Sequence, residues 1–357
     1  MAIRSYKYWA LNKKGIKYPE LIIPVSAHAA FIKGCEMYNI KPIIIDINPN
    51  TYKVETKTVR RYINRNTIAV IASAPQYAQG VLDPISELSE LCVKYNIGLH
   101  IDCCIGSFLL PILSKIGKNN IPLFDFRLKG VTTISCDTHK FGFSLKGTSV
   151  LMYRNNELRN FGYFNHCESS IGLYCTPTIQ GSRSGGVIAS TWSIMMHMGY
   201  QGYINEAKTI MNGIDIIKKG LNKWHAKDKT NKDLLYIMGD PVMSILGFGS
   251  KSVNIYCISD SMSAKGWTLN NCKDPSCVHL CLTRANCHKS NKFINDLITS
   301  AQDVKNNPSK YGKGGSAMYG ALVSIPSPEL QNDFMKLYLD IVLSTPKDKD
   351  KLLFQSD

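Results

Sequence analysis

Short β-branched runs alternate with helical stretches along the first 155 or so residues, and this alternation narrows the available folds more than any other feature. Leu21 to Val25, Ile43-Ile44-Ile45, Ile68 to Ala72, Leu99 to Asp102, Val131 to Ser135 and Ser149 to Tyr153 read as strands. Between them, the first 17 residues read as a helix closed by Gly15 and followed by Pro19, and Ala27 to Phe31 opens another. A charged helix spans Val59 to Asn64, and a further one starts at Asp83-Pro84-Ile85, with Glu87 in its first turn and Gly98 just beyond its end. Strands joined by helices imply an α/β fold with a mainly parallel sheet, whose ligands sit beyond the strand C-termini. The Ser73-Ala74-Pro75-Gln76 turn, Asp102 and Lys140 all fall at such ends and point to one crevice.

The chain then changes character. Gly185 to Leu221 is helical in pattern, and His225 to Lys232 is a polar linker. Val242 to Leu246, Val253 to Ile258 and Val278 to Leu282 read as strands of a smaller α+β unit. The expected organisation is therefore a large domain over 1–225, a small C-terminal domain over 233–346, and a charged, frayed tail over 347–357. A chain of 357 residues, 44% hydrophobic, can bury a core of that size.

Forty-two basic against 27 acidic residues leave a net charge of +15. That surplus suits a phosphorylated ligand or an anionic membrane face. Nucleic acid is not expected as a partner, since the basic residues are dispersed and no aromatic-plus-arginine motif accompanies them. The longest apolar runs fall well short of the ~20 residues a membrane helix needs, so membrane contact is at most peripheral. Twelve scattered cysteines, two of them adjacent, with no secretory signal before them, read as reduced thiols of a cytosolic protein. Cys277, His279 and Cys281 alternate along an apolar strand, and their spacing matches no zinc ribbon or finger, so no metal site is expected. Gly312-Lys313-Gly314-Gly315 lacks the order of a phosphate-binding P-loop and reads as a turn.

The chemistry concentrates in Ser135-Cys136-Asp137-Thr138-His139-Lys140, a strand end that runs into Phe141-Gly142-Phe143 and then Lys146-Gly147-Thr148. A lysine on such a turn can enter a cleft and shed its proton. Its ordinary pKa of about 10.4 must fall for it to act as a nucleophile. Partial burial and a cationic neighbour such as Lys146 are the expected causes. A Schiff-base lysine together with an aspartate for a pyridinium nitrogen is the minimal equipment of a pyridoxal phosphate enzyme, and Asp102 supplies the aspartate. The plainer alternatives stand beside these roles: lysines are usually solvated, and strand-end aspartates often cap the next helix. His28 is a candidate for the cofactor's ring face, His139 for its phosphate and Lys146 for a substrate phosphate. Tyr77, beside the crevice turn, either exchanges a proton or simply packs. Gly181-Ser182-Arg183-Ser184-Gly185-Gly186 reads as an anion nest or an ordinary loop.

Several stretches closely resemble the sphingosine-1-phosphate lyases, within the group II pyridoxal phosphate-dependent decarboxylases. They are Ser26 to Phe31, Leu99 to Gly106, Asp125 to Thr132, Ser135 to Lys140, Tyr174 to Arg183 and Met262 to Trp267. The resemblance implies the fold-type-I architecture of pyridoxal phosphate-dependent transferases and a homodimer with active sites at the subunit interface. It also implies that Lys140 carries pyridoxal 5′-phosphate, that Asp102 pairs with its ring nitrogen, that His28 stacks on the ring, and that His139 and Lys146 contact the cofactor and substrate phosphates. The implied reaction is retro-aldol cleavage of a phosphorylated sphingoid base to a long-chain aldehyde and phosphoethanolamine, at the cytosolic face of the endoplasmic reticulum. Two departures are expected to matter. Relatives carry a membrane anchor and a glycine-bearing phosphate loop upstream of the His28 position, so the large domain is expected to be incomplete at its N-terminus. Gly106-Ser107 stands where the family tends to have paired glycines.

Overall fold

The computed structural model describes residues 1–168, 170 and 172–344. The expected frayed tail, 347–357, lies outside the described residues.

Six strands form the main sheet: β1 (Glu20–Pro24), β2 (Lys41–Ile45), β3 (Thr67–Ser73), β4 (Gly98–Asp102), β5 (Thr133–Cys136) and β6 (Val150–Tyr153). Their order is β2-β1-β3-β4-β5-β6; all neighbours run parallel except β6, which returns antiparallel to β5. The alternation in sequence thus becomes an α/β layer structure. Helices α1 (Ala2–Lys14) and α2 (Ala30–Met37) cover one face, where Ile3, Tyr6 and Phe31 pack on Ile68 and Ile71. Helices α3 (Thr56–Tyr62) and α4 (Ile85–Tyr95) and the long α6 cover the other, where Leu88 and Ile214 join Val70, Ala72 and Ile101. All seven β3 residues are buried, as a strand with helices on both faces must be. A short helix α5 (Asn156–Asn160) and the hairpin β7 (Phe164–His166) and β8 (Tyr174–Thr176) lead into α6 (Gly185–Lys227), which kinks at Gly199.

The chain then builds α7 (Asn231–Leu234) and a second, antiparallel sheet in the order β11-β12-β10-β9. Its strands are β9 (Tyr236–Ile237), β10 (Ile245–Gly249), β11 (Asn270–Cys272) and β12 (Cys277–Cys281). Helices α8 (Ile255–Ala264), α9 (Ser290–Asn306), α10 (Gly315–Val323) and α11 (Pro328–Leu343) complete the described chain. One hydrophobic cluster runs without a break from Ile22 of β1 through α6 to Val304 of α9.

Several expectations are corrected in detail. Val253 to Ile258 is not a strand. Asn254 caps α8 by accepting the Tyr256 N–H at 3.0 Å, and Ile255, Ile258 and Met262 fall on one buried helical face. The strand expected at Val242–Leu246 begins at Ile245. The polar linker holds the end of α6 and the first two residues of α7. Gly98 does lie just beyond the end of α4, which Asn96 closes in left-handed conformation, and it starts β4. Glycine is needed there because a Cβ would lie 2.3 Å from the Tyr6 ring. Gly312 to Gly315 is a turn that runs into α10, whose first N–H groups (Ser316 and Ala317) are held by the Asp260 carboxylate at 2.8 and 3.0 Å.

Candidate active site

Asp102 ends β4, and the next strand over, β5, ends beside it. Asp102 Oδ1 accepts the Ser135 hydroxyl at 3.0 Å and the Cys104 N–H at 3.1 Å. The side chain is 8% exposed, so those two bonds fix a carboxylate that faces the crevice yet is largely out of water. Two residues earlier on the same face of the strand, His100 is bonded through Nδ1 to the Thr133 hydroxyl at 2.7 Å. Burial pulls its pKa down to about 4, which keeps it neutral beneath the carboxylate. The tight turn after Asp102 depends on Gly106, where a Cβ would meet the Ala74 carbonyl oxygen at 2.2 Å.

Beyond β5 the chain folds into the Asp137–Lys140 turn. Buried Phe141 anchors it in the core, and α6 pins it from outside through the Tyr203 hydroxyl, which donates to the Gly142 carbonyl at 3.1 Å. Lys140 Nζ then reaches the Cys104 thiol and Asp137 Oδ2, both at 3.0 Å. Cys104 therefore touches both Asp102 and Lys140. The two side chains on which the chemistry rests are gripped by one residue.

The expected depression of the Lys140 pKa is not what the structure shows. Burial does pull the amine down, but its contacts with Cys104 and Asp137 outweigh it, and the net direction is up. Burial pushes the Cys104 thiol up to about 12, so it faces the amine as a neutral thiol. Asp137 is then the group that keeps the proton on Lys140. The cationic neighbour expected in Lys146 is replaced by an anionic one.

Three cavities meet at Lys140. The first, about 810 Å³, holds His28, Asp102, Cys104, Ser135 and Arg183 along with it. The second, about 540 Å³, shares His28, Asp102 and Cys104 and adds Ser73, Pro75 and Tyr77. The third, about 850 Å³, is more apolar and takes in Tyr77, His139, Lys146, Phe141 and Ile245. The three strand ends singled out in the sequence thus do converge. His28 is exposed on the cavity wall, with Nδ1 accepting the Ala30 N–H at 3.0 Å. His139 lies with Lys146, away from the Asp102 cavities, its Nδ1–H donated to the Thr148 carbonyl and its Nε2 3.7 Å from Asp137. Lys146 is exposed. Tyr77 stands between the second and third cavities, its ring edge-on to buried His279 at 4.3 Å. The candidate nest contributes Arg183 to the first cavity and otherwise runs as an exposed loop into α6.

Sequence reasoning missed Cys104, Ser135 and Asp137 as site residues. Ser135 and Asp137 lie inside the motif that singled out Lys140, and Asp137 precedes it by three residues, the reach of one tight turn. Among the described residues no cluster of three or more His, Cys, Asp or Glu side chains could hold a metal, and all twelve cysteines are free. No helix of the described residues is long and apolar enough to cross a membrane.

A pyridine ring that carries an aldehyde fits this donor set. An amine able to form an imine and a buried, hydrogen-bonded carboxylate open onto the same cavities, and a histidine stands on the wall between them.

Comparison with known proteins gives the same picture. The family model described as the pyridoxal-dependent decarboxylase conserved domain matches residues 13–232. The chain is 38% identical to a sphingosine-1-phosphate lyase of Arabidopsis thaliana over 340 residues, which is 95% of this chain and 61% of that protein. It is also 38% identical to the sphingosine-1-phosphate lyase of Saccharomyces cerevisiae, covering 57% of it. The chain thus spans about three fifths of the length of these relatives. Among solved structures, the sphingosine-1-phosphate lyase of Burkholderia pseudomallei superposes with a TM-score of 0.85 at 31% identity, over 97% of this chain and 72% of that one. A glutamate decarboxylase of Lactobacillus brevis shares the fold at a TM-score of 0.65 and 19% identity.

Proposed function

We infer from the chain's place in the pyridoxal-dependent decarboxylase family, to which it belongs, that it works as a sphingosine-1-phosphate lyase. On this reading it binds pyridoxal 5′-phosphate and splits a phosphorylated sphingoid base into a long-chain aldehyde and phosphoethanolamine. The observation that carries the reading is the meeting of the Lys140 amine and the Asp102 carboxylate on Cys104. The names of the relatives support the substrate.

The cofactor, when bound, supplies an electron sink for the pair released as the substrate's C2–C3 bond breaks. The remaining work falls to the chain's own side chains. Lys140 is the attachment point and must first give up a proton, which Asp137 at 3.0 Å holds on it. Asp102 offers a fixed negative charge to a protonated ring nitrogen, and its two hydrogen bonds stop it from turning away. His28 flanks the ring, and His139 and Lys146 serve the phosphates. Burial raises the pKa of Tyr77, so its phenol stays protonated. At the junction of two cavities it serves as a relay, accepting the C3 hydroxyl proton only as it passes its own on, so that the oxygen can close to a carbonyl as the carbon–carbon bond opens. C2 then regains a proton.

The chain is further proposed to pair as a homodimer. The first half of α6 supports this, since Ile188, Trp192 and Met196 stand in solvent, Trp192 with 66% of its surface exposed. Placement on the cytosolic face of the endoplasmic reticulum is proposed on the same family grounds.

Purification with added pyridoxal phosphate tests the reading. A visible absorbance band that borohydride removes and Lys140→Ala abolishes is expected, and a colourless protein would refute it. Incubation with a phosphorylated sphingoid base should give phosphoethanolamine without carbon dioxide. Release of carbon dioxide from an amino acid instead would make the chain a decarboxylase.

A further inference from the structure

A buried carboxylate outside the residues assigned above points back to the crevice. Glu206 on α6 is 6% exposed, and its Oε2 has no hydrogen-bond partner. Its Oε1 accepts the Nη1–H of Arg284, three positions past the end of the small sheet's β12 strand. Among the described residues that is the one ion pair of Glu206, so the guanidinium cannot leave without stranding a buried charge. Yet the Arg284 side chain is itself 71% exposed, and among the described residues it makes no other hydrogen bond. A guanidinium has five N–H donors in a planar fork. One edge is tied down and the remainder is left to a ligand.

Arg284 borders two cavities. Glu206 lines one, of about 590 Å³, and the other is the 850 Å³ cavity that holds Lys140, Tyr77 and Lys146. No carboxylate lines this second cavity, whereas Lys140, Lys146 and Arg284 all do. Its wall is apolar, with Ile105, Phe141 and Ile245. A cleft of this size, lined by apolar side chains and by three cations, suits a phosphate monoester that carries hydrocarbon.

We propose that Arg284, tethered by the buried carboxylate of Glu206, is a second phosphate contact in the Lys146 cavity. This deepens the substrate reading above and rests on it. The two cations differ in kind. Lys146 is a mobile point charge. Arg284 is already ordered by Glu206, so it binds an anion without the entropic cost of fixing a long side chain.

Titration calorimetry on cofactor-loaded protein tests the assignment, with phosphoethanolamine and ethanolamine as probes. Wild type should prefer the phosphorylated probe, and Arg284→Gln should weaken phosphoethanolamine by about tenfold while leaving ethanolamine unchanged. Arg284→Lys should also weaken phosphoethanolamine, because an ammonium lacks the planar fork with which the guanidinium holds Glu206 on one edge and offers the other to a phosphate. Arg284→Gln strands the Glu206 charge, so the double variant Glu206→Gln/Arg284→Gln, which removes that charge, is the control for folding and should bind as weakly. If both Gln variants hold phosphoethanolamine like wild type while Lys146→Ala loses it, Arg284 merely neutralises Glu206 and the proposal fails alone. If wild type does not distinguish the two probes, the phosphorylated-substrate reading falls, and this proposal with it.

Discussion

The floor and the rim of the crevice are built in opposite ways. On the floor, Asp102, Ser135, Cys104 and His100 are held by backbone and side-chain hydrogen bonds at the ends of adjacent parallel strands. On the rim, Lys146 is exposed and Tyr77 is close to half exposed, and their positions follow from turns and from packing. The floor costs desolvation and must be satisfied before any ligand arrives. The rim keeps its charges in water and spends little until a ligand comes. Lys140 joins the two: half-buried, ion-paired to Asp137, and bordering every cavity of the site.

The largest effect should come from that joint. Lys140→Ala is expected to remove the cofactor's covalent absorbance band entirely and to lower turnover on the order of 10⁴-fold or more. Thermal stability should change little, because the lost ion pair is only part-buried. A Lys140→Ala protein that still carried a borohydride-sensitive band would break the comparison at its centre.

Next come the floor carboxylate and its neighbour. Asp102→Ala should cut turnover by roughly 10²–10³-fold and also destabilise the fold by about 1–3 kcal/mol, because the Cys104 N–H and the Ser135 hydroxyl both lose their acceptor. Asp102→Asn keeps an acceptor oxygen, so urea unfolding should shift by less than about 1 kcal/mol while turnover still falls. Full activity in the Asn variant would show that the charge is not used. His100 reports on the floor through pH. Its folded-state pKa of about 4 lies below the ordinary value of 6.5, so the unfolded chain binds more protons between those limits. Its stabilising contribution is complete above about pH 6.5 and is lost as pH falls toward 4, about 3 kcal/mol in all. Asp83, which burial pushes up to about 6, acts in the opposite direction: it favours the fold at low pH and loses that contribution as pH rises through 6. Urea titrations of His100→Asn at pH 6.5 and 4.5 should therefore show a much flatter acid loss than wild type. An unchanged slope would mean that His100 is not held neutral.

The same contrast decides what could be read from the sequence. The meeting of Asp102 and Lys140 was legible because Asp102 ends a short apolar run and Lys140 sits on the turn that follows another, and a parallel sheet gathers such ends. The sheet and its helices were legible for the same reason. The state of Lys140 was not. Its counter-ion Asp137 lies only three residues away, but whether the two meet depends on the φ/ψ of a tight turn that residue types alone do not specify. Helix α8 was misread because Val253, Ile255 and Ile258 form a β-branched run, and the Asn254 cap that makes it a helix is one side chain. Glu206 and Arg284 lie 78 positions apart on a helix and a loop, so nothing local joins them.

The smallest effect, and the sharpest on the rim, belongs to Lys146. The residue is exposed, and among the described residues it makes no hydrogen bond or ion pair, so its removal leaves no buried group without a partner. Lys146→Ala should accordingly leave the melting temperature where it was and keep kcat within about twofold, while KM for a phosphorylated sphingoid base rises by about tenfold. Its attraction for phosphate acts through water, so the wild-type KM should climb with ionic strength and the variant's climb should be shallower. A melting temperature lowered by several degrees would make Lys146 part of the floor's construction, and the division between a prebuilt floor and a ligand-ordered rim would not hold at this residue.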